Sequence, residues 1–160
     1  DDFTKAVELD PKLPDVYSYY GLALMSTGDQ PGAKKAFQQE LTTNTNNFDA
    51  NLQLGVLLRQ DEDNDEALRH FQHALEIRPG DFGVRYQIAT LKLANGQIEQ
   101  AQRELEALVK EAPRFTEAHV SLATIYFRQK KKVEGERERA IVAKLNDEKK
   151  ANSPALKAAP

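Results

Sequence analysis

The chain has no cysteine among its 160 residues, which removes thiolate catalysis, iron–sulfur clusters and cysteine-based zinc sites from consideration. It also lacks any run of 18 apolar residues, so no stretch reads as a membrane-spanning helix. The first twenty residues have neither a basic nor an apolar leader region and read as a soluble segment, with a cytoplasmic setting favoured. There is no initiator Met before Asp1, and Phe3, Ala6 and Val7 already look like helix interior. The expectation is a start inside a longer chain, where a leader could lie upstream. Serine is scarce: Ser18, Ser26, Ser121 and Ser153 are the only four, and no nucleophile-elbow glycine pattern surrounds any of them. His119 and Ser121 stand two apart on one expected helix and face different ways. Catalysis is not expected from this chain, and no cofactor is implied.

Charge is unevenly spread. Residues 1–127 carry 12 Lys and Arg against 20 Asp and Glu, a net of −8, while residues 128–160 carry 10 against 5, a net of +5. An acidic body lacks the basic face that duplex nucleic acid requires. The strongest cationic cluster, Arg128 to Lys132, lies at an expected helix end, where cations meet the negative pole of the helix dipole; an anionic partner docking there is the other reading.

What the chain does contain is a period. Gly21 and Gly55 are 34 residues apart, and two further steps reach Ala89 and Ala123. Tyr20, Leu54, Ile88 and Leu122 precede these small residues. Ala33, Ala67 and Ala101 share the spacing, as do Phe3, Phe37, Phe71 and Leu105; Pro11, Pro79 and Pro113 do too, with Thr45 in the fourth slot. A small residue beside a large apolar one lets a paired helix approach closely. Ala, Phe and Ala spaced four and three apart make one helical stripe, and the proline after it ends the helix. Each unit is therefore a helical hairpin. The spacing predicts nine helices, at 2–10, 14–27, 31–44, 48–61, 65–78, 82–95, 98–111, 116–129 and 133–148. Gly28 and Gly96 are expected to close first helices in a left-handed conformation.

These residues and this period resemble the tetratricopeptide repeat, of the bacterial type. The resemblance implies an all-α solenoid of antiparallel helix pairs wound as a right-handed superhelix. Its units are the second helix of a truncated repeat at 1–13, repeats at 14–47, 48–81 and 82–115, a degenerate or capping pair at 116–148, and a disordered tail or linker at 149–160. Departures from the family pattern are Asn51 in the second full unit, Glu40 and Thr45 in the first, and Arg85, Lys92 and Leu108 in the third. In the last pair Gly135 and Arg139 stand where Ala and Phe are expected, so that helix is either a charged cap with a thin stripe of Val133, Ile141 and Leu145, or slipped by one residue.

Two clusters imitate metal sites. Asp61 to Glu66 begins like a calcium loop, but Glu66 replaces the turn glycine and Gln72 stands at the closing carboxylate; a capped turn with Asp63 or Asn64 as N-cap explains it. His70 and His73 have ligand spacing without a third ligand, and are expected as solvent-exposed residues of an outer face. His119 is expected to pack against a neighbouring helix.

In the family, the second, fifth, sixth, ninth, twelfth and thirteenth places of each first helix line a concave groove that takes extended or helical peptides. Here the resemblance assigns partner binding to Tyr19, Leu22, Leu52, Gln53, Val56, Arg59, Tyr86, Gln87, Thr90, Ser121, Thr124 and Phe127. Aromatic anchors in a polar surround suit an amphipathic helix or apolar peptide of another protein. Ser18, Leu22, Gln53, Gly83 and Gln87 do not match the residues with which some members clamp a C-terminal carboxylate. The alternatives are self-association through array ends, as a structural spacer, and a regulatory domain of an enzyme lying elsewhere in the parent chain.

Overall fold

A computed structural model describes residues 2–11 and 13–152. Among them are nine α-helices and no strand: α1 (Asp2–Leu9), α2 (Val16–Ser26), α3 (Gln30–Thr43), α4 (Phe48–Gln60), α5 (Asn64–Ile77), α6 (Phe82–Ala94), α7 (Ile98–Glu111), α8 (Thr116–Arg128) and α9 (Lys132–Ala151). None is long and apolar enough to cross a membrane. Helix α9 continues to Ala151, past residue 149 where the tail is expected; residues 153–160 lie outside the described residues.

Local chemistry sets the helix ends. Asp29, Asn47 and Asp63 accept hydrogen bonds from the amides of Gly32, Ala50 and Glu66, capping α3, α4 and α5, and Asp81 does the same for Val84 at the start of α6. Of the two caps expected in the acidic turn, Asp63 or Asn64, it is Asp63 that serves. Its neighbour Asp61 pairs with Lys34 Nζ at 2.7 Å, and Glu66 pairs with Arg69.

First helices end by one repeated device. Gly28, Glu62, Gly96 and Lys130 recur every 34 residues, and all four have positive φ, from 61° to 84°. In each case the amide one residue on bonds back across the turn: Asp29 to the Leu24 carbonyl, Asp63 to Leu58, Gln97 to Lys92 and Lys131 to Tyr126, at 2.8–2.9 Å. This is a Schellman closure; glycine meets its left-handed requirement freely and Glu62 and Lys130 meet it at a cost.

The chain forms two compact units, one through Leu91 and one from Lys92, with the division inside α6. In the first unit, Phe37 of α3 and Phe71 of α5 are 0% exposed. A Cβ on Gly21 would lie 2.7 Å from Phe37 Cε1, and one on Gly55 at 2.7 Å from Phe71 Cε1. The periodic glycines of α2 and α4 thus exist to seat the phenylalanine of the following helix. Leu54, Leu57, Leu58, Val84 and Leu91 complete this core. Truncating either phenylalanine to alanine is expected to cost about 3–5 kcal/mol.

The second unit buries Leu105, Leu108, Leu122 and Ile125, and here the pattern is exchanged. Gly135 is the buried residue of α9, and its missing Cβ would lie 2.8 Å from Phe127 Cε1 of α8. The aromatic ring comes from the first helix and the glycine from the second, while Arg139, in the phenylalanine slot, places its guanidinium 5.8 Å from the Phe127 ring centroid. The helix is not slipped: Lys130 repeats the turn of Gly28, and Gly135 occupies the buried slot of Ala33, Ala67 and Ala101. The apolar stripe expected on α9 is reduced, since Val133 is 73% exposed while Ile141 and Leu145 are half-buried.

Candidate functional site

The stripe assigned to partner binding differs along its length. In the first unit, on α2, Tyr19 and Leu22 are exposed at 55% and 38%. The Tyr19 ring stacks on Phe3 of α1, with centroids 6.3 Å apart. On α4, Leu52 and Val56 are half-buried and pack against the core, so a good part of their surface serves the fold. Gln53 and Arg59 beside them are half-buried. On α6, Tyr86, Gln87 and Thr90 are half-buried, and the Thr90 hydroxyl donates to the Gln87 carbonyl of its own helix at 2.8 Å.

Among the described residues of this unit, three buried polar atoms have no hydrogen-bond partner: Ser18 Oγ, Arg59 Nε and Gln87 Oε1. All three belong to stripe positions of first helices. Unpaired buried polar groups cost about 1–3 kcal/mol each and are rare in native folds. Ser18, moreover, is only 3% exposed, so it lies deeper than an open groove position. It lines a cavity of about 220 Å³ with Asp15, Tyr19, Asn47, Asp49 and Arg78. Asp15 and Asp49 hold the second place of their units, one of the places the family resemblance assigns to the groove, whereas nothing in the sequence pointed to Asn47.

In the second unit, Ser121 is half-buried, and Thr124 is exposed with its hydroxyl donating to the Val120 carbonyl at 3.0 Å. Phe127 is half-buried and engaged over Gly135, inside the hairpin. With Val120 and Thr124 it borders an apolar cavity of about 570 Å³ whose other wall is Val142, Ala143 and Asn146 of α9. The phenolic hydroxyl of Tyr126 donates to Glu106 Oε1 at 2.8 Å, and Gln102 Nε2 donates to the same oxygen at 2.7 Å. The bond from Gln102, with that from Tyr126, holds Glu106 below the usual carboxylate range. Burial, with the bond to Glu106, pushes the Tyr126 phenol up to about 12.

The histidines correct one expectation. His70 and His73 do not ride a free outer face; they tie α5 to the chain before it. His70 Nδ1–H donates to Asn51 Oδ1 at 3.0 Å, and burial, with the positive neighbours His73 and Arg69, lowers its pKa. His73 Nε2–H donates to the Thr45 carbonyl at 3.1 Å and to Asn46 Oδ1 at 3.0 Å. Asn51, itself buried, donates from Nδ2 to the carbonyls of Thr45 and Asn47, both at 2.9 Å. Asn47 Nδ2 donates in turn to Asp15 Oδ1 at 2.6 Å and to buried Glu40 Oε1 at 3.3 Å. The departures Glu40 and Asn51, with the backbone carbonyl of Thr45, thus form one linked polar network around Asn47. Lys92 has a similar explanation, pairing with Glu104 in the second unit. His119 packs as expected, with Nδ1 at 2.5 Å from Glu138 Oε2 and Nε2 at 3.1 Å from the Pro113 carbonyl.

Comparison with known proteins agrees with this architecture. Two family models, both described as tetratricopeptide repeat, match residues 21–82 and 58–124. No curated protein matches. Among solved structures, a crystal structure of MamA is 18% identical, with 94% of this chain and 88% of that one covered and a TM-score of 0.78. PilF of Pseudomonas aeruginosa is 16% identical over 89% of this chain and 65% of its own, with a TM-score of 0.77. YrrB, described as a TPR protein with an unusual peptide-binding site, is 22% identical over 89% and 74%, with a TM-score of 0.71. At such identities the likeness speaks for the fold alone, the α-solenoid class of helix pairs. With repeat models running from residue 21 to residue 124 and a 34-residue period explained contact by contact, the chain belongs to the tetratricopeptide repeat family.

Proposed function

We propose that this chain is a protein-interaction module that captures a segment of another protein along the stripe of its first helices, and that it performs no chemistry of its own. The observation that carries the reading is that three of the four unpaired buried polar atoms among the described residues belong to stripe positions, Gln129 Oε1 being the fourth. Ser18 Oγ, Arg59 Nε and Gln87 Oε1 all lie on the stripe of the first unit; a carbonyl of a docked backbone would satisfy Arg59 Nε and an amide Gln87 Oε1, while the deeper Ser18 is left for a side chain of the segment. Tyr19 and Leu22 add exposed apolar surface beside them. The peptide-binding site named for YrrB is a property of that protein, and it supports this reading by fold analogy alone. Duplex nucleic acid is a poor partner for a body with a net charge of −8 over residues 1–127.

The test is selection of binding peptides from a random displayed library, followed by calorimetry on the purified chain. Tyr19→Ala and Gln87→Ala should each weaken a selected peptide by about tenfold or more, whereas Gln38→Ala, on the exposed side of α3, should not. Equal affinity across all four proteins would refute the assignment. Self-association is the second reading, favoured by Leu9, 86% exposed, and the exposed Leu13. Light scattering that rises with concentration would support it over the first.

A further inference from the structure

We propose that the cavity between α2 and the start of α4 is a subsite for one cationic side chain, a lysine or arginine of the captured segment. This deepens the preceding reading and rests on it. Asp15 is the point of departure. It precedes α2 where a capping residue belongs, yet it is held at φ 60° and its carboxylate makes no capping bond, unlike Asp29, Asn47 and Asp63. Instead Asp15 Oδ1 accepts from Asn47 Nδ2 at 2.6 Å, and the same nitrogen donates to buried Glu40. Asn47 Oδ1 is already spent on the Ala50 amide. The Asn47 side chain therefore orients two carboxylates without neutralising either.

Asp49, in the first turn of α4, is exposed and joins Asp15 as the second carboxylate lining the cavity, while Glu40 lies buried behind Asn47. Neither Asp15 nor Asp49 forms an ion pair among the described residues. Arg78 also lines the cavity, but its guanidinium stacks on the cavity-lining Phe48, 3.8 Å from the ring centroid, and pairs with neither carboxylate. The independent sign of a missing ligand is Ser18: it lines the cavity, is 3% exposed, and its hydroxyl has no partner. Tyr19 supplies an exposed aromatic wall. Carboxylates, a hydroxyl acceptor and an aromatic face together suit an organic cation, and they repel an acidic side chain.

The experiment uses the whole chain, ¹⁵N-labelled, titrated with Nα-acetyl-arginine amide and Nα-acetyl-lysine amide. Nα-acetyl-glutamate amide and Nα-acetyl-norleucine amide are the controls. The cationic probes should give saturable shifts at the amides of Ser18, Tyr19 and Asp49, and the controls none. Asp49→Asn should weaken the response about fivefold, as for loss of an ion pair, and Ser18→Ala should weaken it with the fold intact by circular dichroism. No saturable shift, or an equal shift with glutamate or norleucine, overturns the subsite. The probes are too short to lie along the stripe, so they respond even where peptide selection fails. Selected peptides that bind through Gln87 without any Lys or Arg preference, with the probes silent, sink the subsite and leave the broader reading standing.

Discussion

Phe127 fills the space left by Gly135, reversing the arrangement in which Phe37 fills the space beside Gly21 and Phe71 that beside Gly55. The last helix pair keeps the same void and the same ring but takes them from opposite helices. The glycine is therefore as indispensable in α9 as in α2 and α4. Gly135→Ala should destabilise the chain by about 1–3 kcal/mol through overpacking, although alanine ordinarily favours a helix interior by about 1 kcal/mol. Urea unfolding checks the sign, and Phe127→Leu should restore part of the loss when combined with Gly135→Ala.

The shared turn makes an opposite forecast at two exposed residues. Glu62 and Lys130 hold φ at 64° and 61°, where Gly28 and Gly96 stand in the other units. A side chain in this conformation costs about 1–2 kcal/mol, and glycine gives back roughly 0.5–1 kcal/mol through the freedom of the unfolded chain. Glu62→Gly and Lys130→Gly should each gain about 0.5–1 kcal/mol, read as a higher Tm. Gly96→Lys should lower it.

Buried Asn51 accepts from His70 Nδ1–H at 3.0 Å, so each residue alone is a poor candidate for apolar substitution. Asn51→Leu should cost about 1–3 kcal/mol by stranding its partners, and a double-mutant cycle with His70→Leu should show coupling between them. Burial, with His73 and Arg69, depresses the His70 pKa below 6.5 in the folded state. The unfolded chain then takes up the proton first as pH falls. Stability from this site is full above 6.5 and erodes as pH drops through 6.5 toward the folded value. Denaturant midpoints between pH 7.5 and pH 5.5 should fall less for His70→Gln than for the wild type.

Tyr126 behaves in the opposite sense at the alkaline end. Its phenol is raised to about 12 by burial and by Glu106, so the folded state retains the proton longer than the unfolded chain does. Stability from this group is present below about pH 10 and is lost as pH rises toward 12. Difference absorbance between the wild type and Tyr126→Phe at 295 nm should show a late-ionising phenol, and Glu106→Gln should bring that step earlier.

The sequence by itself determined the helices, their pairing and the family, because a 34-residue recurrence of small, aromatic and terminating residues is a local pattern that burial enforces in every unit. It also narrowed the cap of α5 to Asp63 or Asn64 and determined the left-handed role of Gly28 and Gly96, since these depend on nearest neighbours. Only the tertiary structure decided that Glu40, Asn51 and the Thr45 carbonyl form one polar network around Asn47, that His70 and His73 belong to it, and that Phe127 answers Gly135. Those relations join residues on different helices, where several side chains can fill one void or satisfy one carbonyl. A periodic string records the position of a departure, and three-dimensional packing decides which partner compensates it. The same holds for the cavity at Asp15: two aspartates one period apart are visible in the string, but the diverted carboxylate and the unpaired Ser18 hydroxyl exist only once α2 and α4 have been brought together.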